Sequence, residues 1–193
     1  MGMEYTLSVQ DLMSARDAVG KCLGDLGDKY PNMIVISADV DVSSRIGQFK
    51  EKYPDRSYNV GIAEQNLMSV AAGMAHEGLK PLCFAFATFA TMRCYEQIRT
   101  DICYSKLPVI IIGNNAGYSN GISGCTHCGL EDSAIMVACD NMTVIEPGDP
   151  KQMVKVLEAC MELNAPVYIR LGREATSSLY PDDVKYEIGK ALI

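Results

Sequence analysis

The sequence predicts an α/β fold of three layers, α/β/α, built on a mainly parallel six-stranded sheet. Three observations carry this expectation. Six short runs are apolar throughout, as strands covered on both faces are, rather than alternating in and out. Between them lie stretches whose apolar residues recur at helical spacing, so strands and helices alternate along the chain. Polar, glycine-rich segments follow the carboxyl ends of the runs, where open α/β sheets bind their ligands. The 193 residues suffice for one domain with a full core, and a hydrophobic fraction of 48% suits a globular chain.

Taken in order, Leu12, Ala15, Val19, Cys22, Leu23 and Leu26 mark one face of a first helix, expected to end near Gly27. Met33-Ile34-Val35-Ile36-Ser37 is the first fully apolar strand, and Ala38 to Ser44 is a polar loop at its end. A short helix from Ile46 to Lys52 precedes a strand from Ser57 to Val60. The next helix carries Leu67, Val70, Ala71 and Met74 and stops at Gly78. Lys80 to Phe86 is again a strand, and Met92, Tyr95, Ile98, Ile102 and Leu107 restore helical spacing. Pro108 to Ile112 is the most apolar run and is expected at the centre of the sheet. The segment from Gly113 to Gly129 is too long for a mere connector. A helix over Leu130 to Ala138, a strand over Met142 to Ile145 and a helix from Asp149 to Leu163 follow, with Asp149 and Gln152 spaced as a capping box. Val167 to Leu171 is the sixth strand. No domain boundary is evident before about residue 180, so 1–180 is read as one domain and 181–193 as the start of a linker.

Charge and composition exclude several functions. The net charge is −7 and no stripe of Lys or Arg forms, so nucleic acid is not an expected partner. The longest apolar run, Val109 to Ile112, is strand-sized, so no membrane association is expected. Met1 to Gln10 lacks the charged and then apolar pattern of a secretory leader. Eight cysteines without such a leader read as reduced thiols in a cytoplasm. Cys125-Thr126-His127-Cys128 has the form of a metal or redox pair, but a structural zinc site needs a second ligand pair, and a thioredoxin-type motif opens a helix after the first strand. The pair is therefore read as a bystander, and no metal site is expected.

Glu64, in Gly61-Ile62-Ala63-Glu64-Gln65-Asn66, falls in the first turn of a helix at the end of a strand expected to be buried. The helix dipole alone accounts for an acidic residue there. Apolar neighbours Ile62, Ala63, Leu67 and Met68 would leave its carboxylate poorly hydrated. Asp39, Ser43, Glu64, Phe86, Phe89, the 114–128 loop and Arg173 all follow strand ends, which gathers them at one edge of the sheet.

Several of these motifs together, Gly61-Ile62-Ala63-Glu64-Gln65-Asn66, Ala71-Ala72-Gly73-Met74-Ala75, Phe86-Ala87-Thr88-Phe89, Tyr95-Glu96-Gln97-Ile98-Arg99, Thr126-His127 and Tyr168-Ile169-Arg170-Leu171-Gly172-Arg173, resemble the pyrimidine-binding domain of transketolases. The match runs in order from about Ser14 onward. It implies the thiamine diphosphate-binding fold and the transfer of a two-carbon ketol unit between sugar phosphates. In that family Glu64 would hydrogen-bond the ring nitrogen of the aminopyrimidine and so activate the cofactor; a desolvated carboxyl suits that role because burial favours sharing a proton near neutrality. Phe86 and Phe89 would flank the ring, with Met92 where the family often has another aromatic. Asp39 would stand near the cofactor pocket, and His127 would reach the reacting carbonyl. Arg16, Ser43 and Arg173 would hold the substrate phosphate, which a guanidinium grips in bidentate fashion.

The chain departs from the family in two places. Asn114-Asn115 stands where Thr-His is usual, and Ile122-Ser123-Gly124-Cys125-Thr126-His127-Cys128 replaces Glu-Asp-Gly-x-Thr-His-Gln, which bears on sugar specificity. No Gly-Asp-Gly followed by an Asn ligand occurs. The resemblance therefore implies a partner subunit holding the diphosphate and its Mg2+, as in the C-terminal subunit of a split transketolase, and a homodimer or heterotetramer. Two alternatives stay open: a component of a deoxyxylulose phosphate synthase, which shares Gly-Ile-Ala-Glu-Gln, and a non-catalytic partner that keeps the fold.

Overall fold

The computed structural model describes residues 12–181 and 184–190. The expectations for Met1 to Gln10, and for Asp182, Asp183 and residues 191–193 of the linker, lie outside the described residues. Eight strands and six α-helices are described: β1 (Met13–Ser14), α1 (Ala15–Lys29), β2 (Met33–Ser37), α2 (Gly47–Lys52), β3 (Ser57–Asn59), α3 (Glu64–His76), β4 (Lys80–Phe86), α4 (Tyr95–Gln97), β5 (Ile110–Asn114), α5 (Asp132–Val137), β6 (Thr143–Ile145), α6 (Pro150–Glu162), β7 (Val167–Arg170) and β8 (Ala175–Thr176). β2 to β7 form one parallel six-stranded sheet in the order β3-β2-β4-β5-β7-β6. The predicted three-layer arrangement is what the chain adopts.

The period-two geometry of a strand sends successive residues to opposite faces, and here both faces are filled. Ile34, Ile36, Cys83, Ala85 and Ile111 pack under α3 with Leu67, Met68, Ala71 and Ala75. Val35, Leu82, Phe84, Ile110, Ile112 and Ile169 pack on the other side against Val19, Leu23, Met153 and Leu157 of α1 and α6. This explains why the central strands read as unbroken apolar runs. Within the sheet the chain first moves outward from β2 to β3, then back across β2 to β4. That reversal opens a crevice at the carboxyl ends of β2 and β4, which is where ligands enter sheets of this kind.

Several boundaries differ from the sequence pattern. The first helix does not include Leu12, which is exposed; Ser14 caps it, its Oγ accepting from the Asp17 N–H at 3.1 Å. It also runs past Gly27, because that glycine is a close-packing site rather than a terminator: a Cβ there would lie 2.5 Å from Tyr53 Cε2. The β3 strand, expected to be buried, is a half-exposed edge strand with only β2 beside it. The central strand starts two residues late, since Pro108 has no N–H to give a ladder, and it extends to Asn114, paired with Phe86. Asp149 caps α6 as expected, accepting from the Gln152 N–H at 2.6 Å, but Gln152 reaches back to the N–H of Gly148 instead of Asp149. The pattern gave no sign of the antiparallel ribbon in which Ser14 pairs with Ala175 and Met13 with Thr176.

The stretch between β4 and β5 is wound in wide turns at Phe89–Arg93 and Ile98–Cys103, on either side of α4. In the second of these the Tyr104 N–H bonds the Arg99 carbonyl five residues back, at 3.0 Å. Residues four apart on a helical surface are neighbours. Arg93 thereby lies over the Phe89 ring, 4.1 Å from its centroid.

Candidate functional site

Glu64 is the first residue of α3 and is 3% exposed. It belongs to the buried stripe Glu64, Leu67, Met68, Ala71, Ala72, Ala75, rotated slightly from the expected one, in which Val70 and Met74 are only partly buried. The stripe removes water from the carboxylate; Ile62, expected to help, is 76% exposed. A buried carboxylate needs a counter-charge or donors. Arg93 provides both, its Nη1 donating to Glu64 Oε2 at 2.8 Å. Arg93 was not foreseen from the sequence, where an arginine in this position reads as a solvated charge.

Phe86 closes β4 and Phe89 opens the wide turn after it. Their ring centroids are 6.3 Å apart. The His127 ring packs against both, 5.8 Å from Phe86 and 5.0 Å from Phe89, edge to face. Glu64, Arg93, Phe89, Phe86 and His127 thus form a continuous chain of contacts. Two aromatic faces beside a buried carboxylate are a donor set suited to a flat heterocycle carrying a ring nitrogen. His76, by contrast, is on the exposed surface of α3.

Asp39 follows β2 in the left-handed region, with φ of 58°. Asn59 holds it there: the Asp39 N–H donates to Asn59 Oδ1 at 3.2 Å, and Asn59 Nδ2 donates to Asp39 Oδ1 at 3.1 Å. The same Asn59 Oδ1 accepts from the Gly61 N–H at 2.8 Å. Asn59 therefore ties the exposed Asp39 to the turn that leads into Glu64, but no bond joins Asp39 to Glu64 itself.

The three residues expected at a phosphate come together in part. Arg16, in the first turn of α1, donates from Nη1 to the Ser43 carbonyl at 3.1 Å. The Ser43 hydroxyl is turned away, bonding the Val40 carbonyl. Arg173 donates to Asn120 Oδ1 at 2.9 Å. Burial, then the charges of Arg45 and Arg173, hold the Arg16 pKa below the ordinary arginine value, although Asp17 and Glu174 oppose this. Arg16 therefore feels both of these guanidinium groups, and its Nε is buried without a partner among the described residues. Arg45 was also missed; its φ of 60° and its 2.7 Å pair with Asp17 turn it toward α1.

The loop from Asn115 to Glu131 is anchored by a buried polar network. Asp132, fully buried at the start of α5, accepts from Tyr168 Oη at 2.7 Å and from Arg170 Nε at 2.9 Å. Arg170 also pairs with Glu146 and donates from Nη2 to the Gly129 carbonyl at 3.0 Å. Burial disfavours the Arg170 charge, but Asp132 and Glu146 outweigh it and hold the pKa above the ordinary arginine value. Burial first, and then Asp132, drive the Tyr168 phenol well above its usual range. Gly113 lets the Tyr168 ring pass, since a Cβ there would sit 2.5 Å from Tyr168 Oη. Cys125 is exposed and Cys128 half-buried. Among the described residues no three His, Cys, Asp or Glu side chains gather as a metal site, and no helix is long and apolar enough to cross a membrane.

This arrangement can be set beside known proteins. Residues 11–178 match the family model for the transketolase pyrimidine-binding domain. A Methanocaldococcus jannaschii protein described as the C-terminal section of a transketolase is 38% identical over 180 residues, covering 92% of this chain and 57% of its own length. A 1-deoxy-D-xylulose-5-phosphate synthase of Dictyoglomus thermophilum is 32% identical, covering 92% of this chain and 29% of its own. A split-gene transketolase solved as an inactive beta4 tetramer superposes with a TM-score of 0.82 at 39% identity, over 92% of this chain and 57% of that one. The chain thus spans little more than half the length of these transketolase relatives. With a family match across most of its residues and a parallel sheet whose carboxyl edge gathers Glu64, Phe86, Phe89 and His127, the chain belongs to the transketolase pyrimidine-binding domain family.

Proposed function

We propose that this chain is the pyrimidine-binding part of a thiamine diphosphate-dependent transketolase that moves a two-carbon ketol unit between sugar phosphates. The observation that carries this reading is the buried Glu64 carboxylate joined through Arg93 to the Phe86, Phe89 and His127 rings. When bound, thiamine diphosphate supplies an electron sink for breaking and remaking a ketose carbon–carbon bond. Phe86 and Phe89 would orient the pyrimidine ring by offset and edge contacts. Glu64 would hold a proton at the ring nitrogen; since Arg93 takes Oε2, Oε1 is the oxygen left to meet it. His127 would swing from the two phenylalanines toward the substrate carbonyl, and Asp39 would line the approach. Arg16 and Arg173, and Ser43 once its hydroxyl leaves the Val40 carbonyl, would receive the sugar phosphate, a role that the positive charges felt at Arg16 and the unpartnered Arg16 Nε favour.

Residues 1–180 would form the pyrimidine domain and 181–193 the start of a linker. A partner subunit would hold the diphosphate and Mg2+, whose hard oxygen ligands are of a kind this site does not gather. The test combines this chain with a diphosphate-binding transketolase subunit, thiamine diphosphate and Mg2+. Ketol transfer is expected only from the combination, and Glu64→Gln should lower it at least about 100-fold, as loss of an acid–base group does, with circular dichroism unchanged. Unimpaired transfer by Glu64→Gln would refute the assignment. Pyruvate serving as donor in place of a ketose phosphate would favour the deoxyxylulose phosphate synthase reading.

A further inference from the structure

We propose that Cys125 and Cys128 form a reversible dithiol–disulfide pair that, when oxidised, clamps the turn carrying His127 against Phe86 and Phe89. The eight thiols of the chain are not equivalent. Cys83, Cys94, Cys103, Cys139 and Cys160 are buried, and the half-buried Cys22 donates into its own helix at the Val19 carbonyl. Burial pushes the Cys22, Cys94, Cys103 and Cys160 thiols up to about 12 and Cys83 higher still, so few thiolates form there. Cys125, exposed, and Cys128, partly exposed, lie instead on the surface loop beyond the sheet edge.

Their placement at the two ends of one tight turn brings them near each other. Residues Cys125–His127 form one tight helical turn, closed by the Cys128 N–H on the Cys125 carbonyl at 3.2 Å. A turn closed in this way brings its outer Cα atoms within about 7 Å, and a disulfide requires about 4.4–6.8 Å. The Cys128 Sγ already points back across the turn, 3.4 Å from the Gly124 carbonyl next to Cys125. His127 lies between the two sulfurs in sequence, its Nδ1 2.9 Å from Thr126 Oγ1 and its ring on both phenylalanines. Closing the bridge ties together the two ends of the turn that carries His127.

The chemistry needs an external oxidant, and a small-molecule disulfide such as oxidised glutathione suffices. The Cys125 thiolate attacks one sulfur of that disulfide, forms a mixed disulfide and expels one glutathione thiolate. The Cys128 thiolate then attacks the Cys125 sulfur and expels the second. Two protein thiols are oxidised to one disulfide, the two protons they release pass to the two departing thiolates, and the oxidant is reduced to two thiols. Reduced glutathione reverses both steps. The proposal does not rest on the ketol-transfer reading, since forming the link needs neither cofactor nor substrate, although holding His127 on the phenylalanines opposes the swing that reading gives it.

The test equilibrates the reduced chain in buffers of rising oxidised-to-reduced glutathione ratio, blocks free thiols with N-ethylmaleimide and maps the peptides by mass spectrometry. The expected result is a single Cys125–Cys128 link, one hydrogen lost from each thiol, with the other six cysteines blocked only after unfolding. The chain has two histidines, His76 and His127, so imidazole proton resonances report the clamp directly. In the reduced chain the two phenylalanine rings displace the His127 line, and warming should draw it toward the position of a free imidazole as the turn opens; oxidation should suppress that drift and leave the His76 line unaffected. Cys125→Ser should take up glutathione at Cys128 and keep the drift. Absence of the link at every ratio, glutathione adducts on both sulfurs in its place, or a link whose His127 line drifts as in the reduced chain would overturn the proposal.

Discussion

Replacing Asp132 by alanine should cost about 3–4 kcal/mol, although the residue touches nothing in the candidate site. Asp132 is fully buried and accepts two hydrogen bonds, from Tyr168 Oη and from Arg170 Nε. Its removal strands a buried phenol, at about 1–3 kcal/mol, and breaks a charge-assisted bond of about 1.5–3 kcal/mol. Arg170 keeps Glu146 and the Gly129 carbonyl, so the cost falls below the upper end for breaking a buried pair, about 3–5 kcal/mol. In a domain of this size each kcal/mol lowers Tm by about 2–4 °C, so the drop should be roughly 6–16 °C. Tyr168→Phe leaves the ion pair whole and should cost only about 1–2 kcal/mol. The double variant should fall short of the sum, because the two residues share one hydrogen bond. Urea unfolding followed by circular dichroism measures all three. A loss below about 1 kcal/mol for Asp132→Ala, or equal costs for the two single variants, would refute the reasoning.

Two further outcomes follow from charges near the sheet edge. With the complete enzyme assembled, Arg173→Ala should weaken phosphorylated substrates by about 1.5–3 kcal/mol, roughly ten- to a hundredfold, while barely affecting their dephosphorylated counterparts; equal losses for both would remove Arg173 from the phosphate site. Burial opposes ionisation of Asp41, yet hydrogen bonds from Lys50 at 2.8 Å and from Ser37 prevail and lower its pKa below the ordinary aspartate value of 3.8. A depressed folded pKa gives stability that is complete above the unfolded value and lost as pH falls through the folded one, so wild type should lose more stability than Asp41→Asn between about pH 5 and pH 2; parallel acid-unfolding curves would count against it.

Strands were legible because burial on both faces leaves a run such as Ile110-Ile111-Ile112 with no polar interruption. Helices announced themselves less sharply. Gly27 reads as a stop and is instead a contact with Tyr53 and Phe49, which only the packing of α1 on α2 reveals. At the candidate site, motif and strand-end position pointed to Glu64, Phe86, Phe89 and His127, and the contacts through Arg93 and the three rings connect them. Arg93, Asn59, Arg45 and Asn120 were not legible. Each reaches its partner through a wide turn, a left-handed residue or a long loop, and none of these leaves a periodic trace. An arginine four residues after a phenylalanine looks like any solvated charge, and nothing in the pattern says that its guanidinium meets Glu64.

The two-residue ribbon between β1 and β8 has a further consequence: it acts as a ruler. Ser14 faces Ala175 in an antiparallel register, so Arg16, two residues on, and Arg173, two residues back, are counted off from the same rung. Their spacing is thus tied to strand pairing between segments about 160 positions apart in the chain, as well as to β7, which ends at Arg170 just before Arg173. A slip of one residue in so short a pairing would change the separation of the two charges. The separation of the two guanidinium groups is thus written in part into two rungs of backbone.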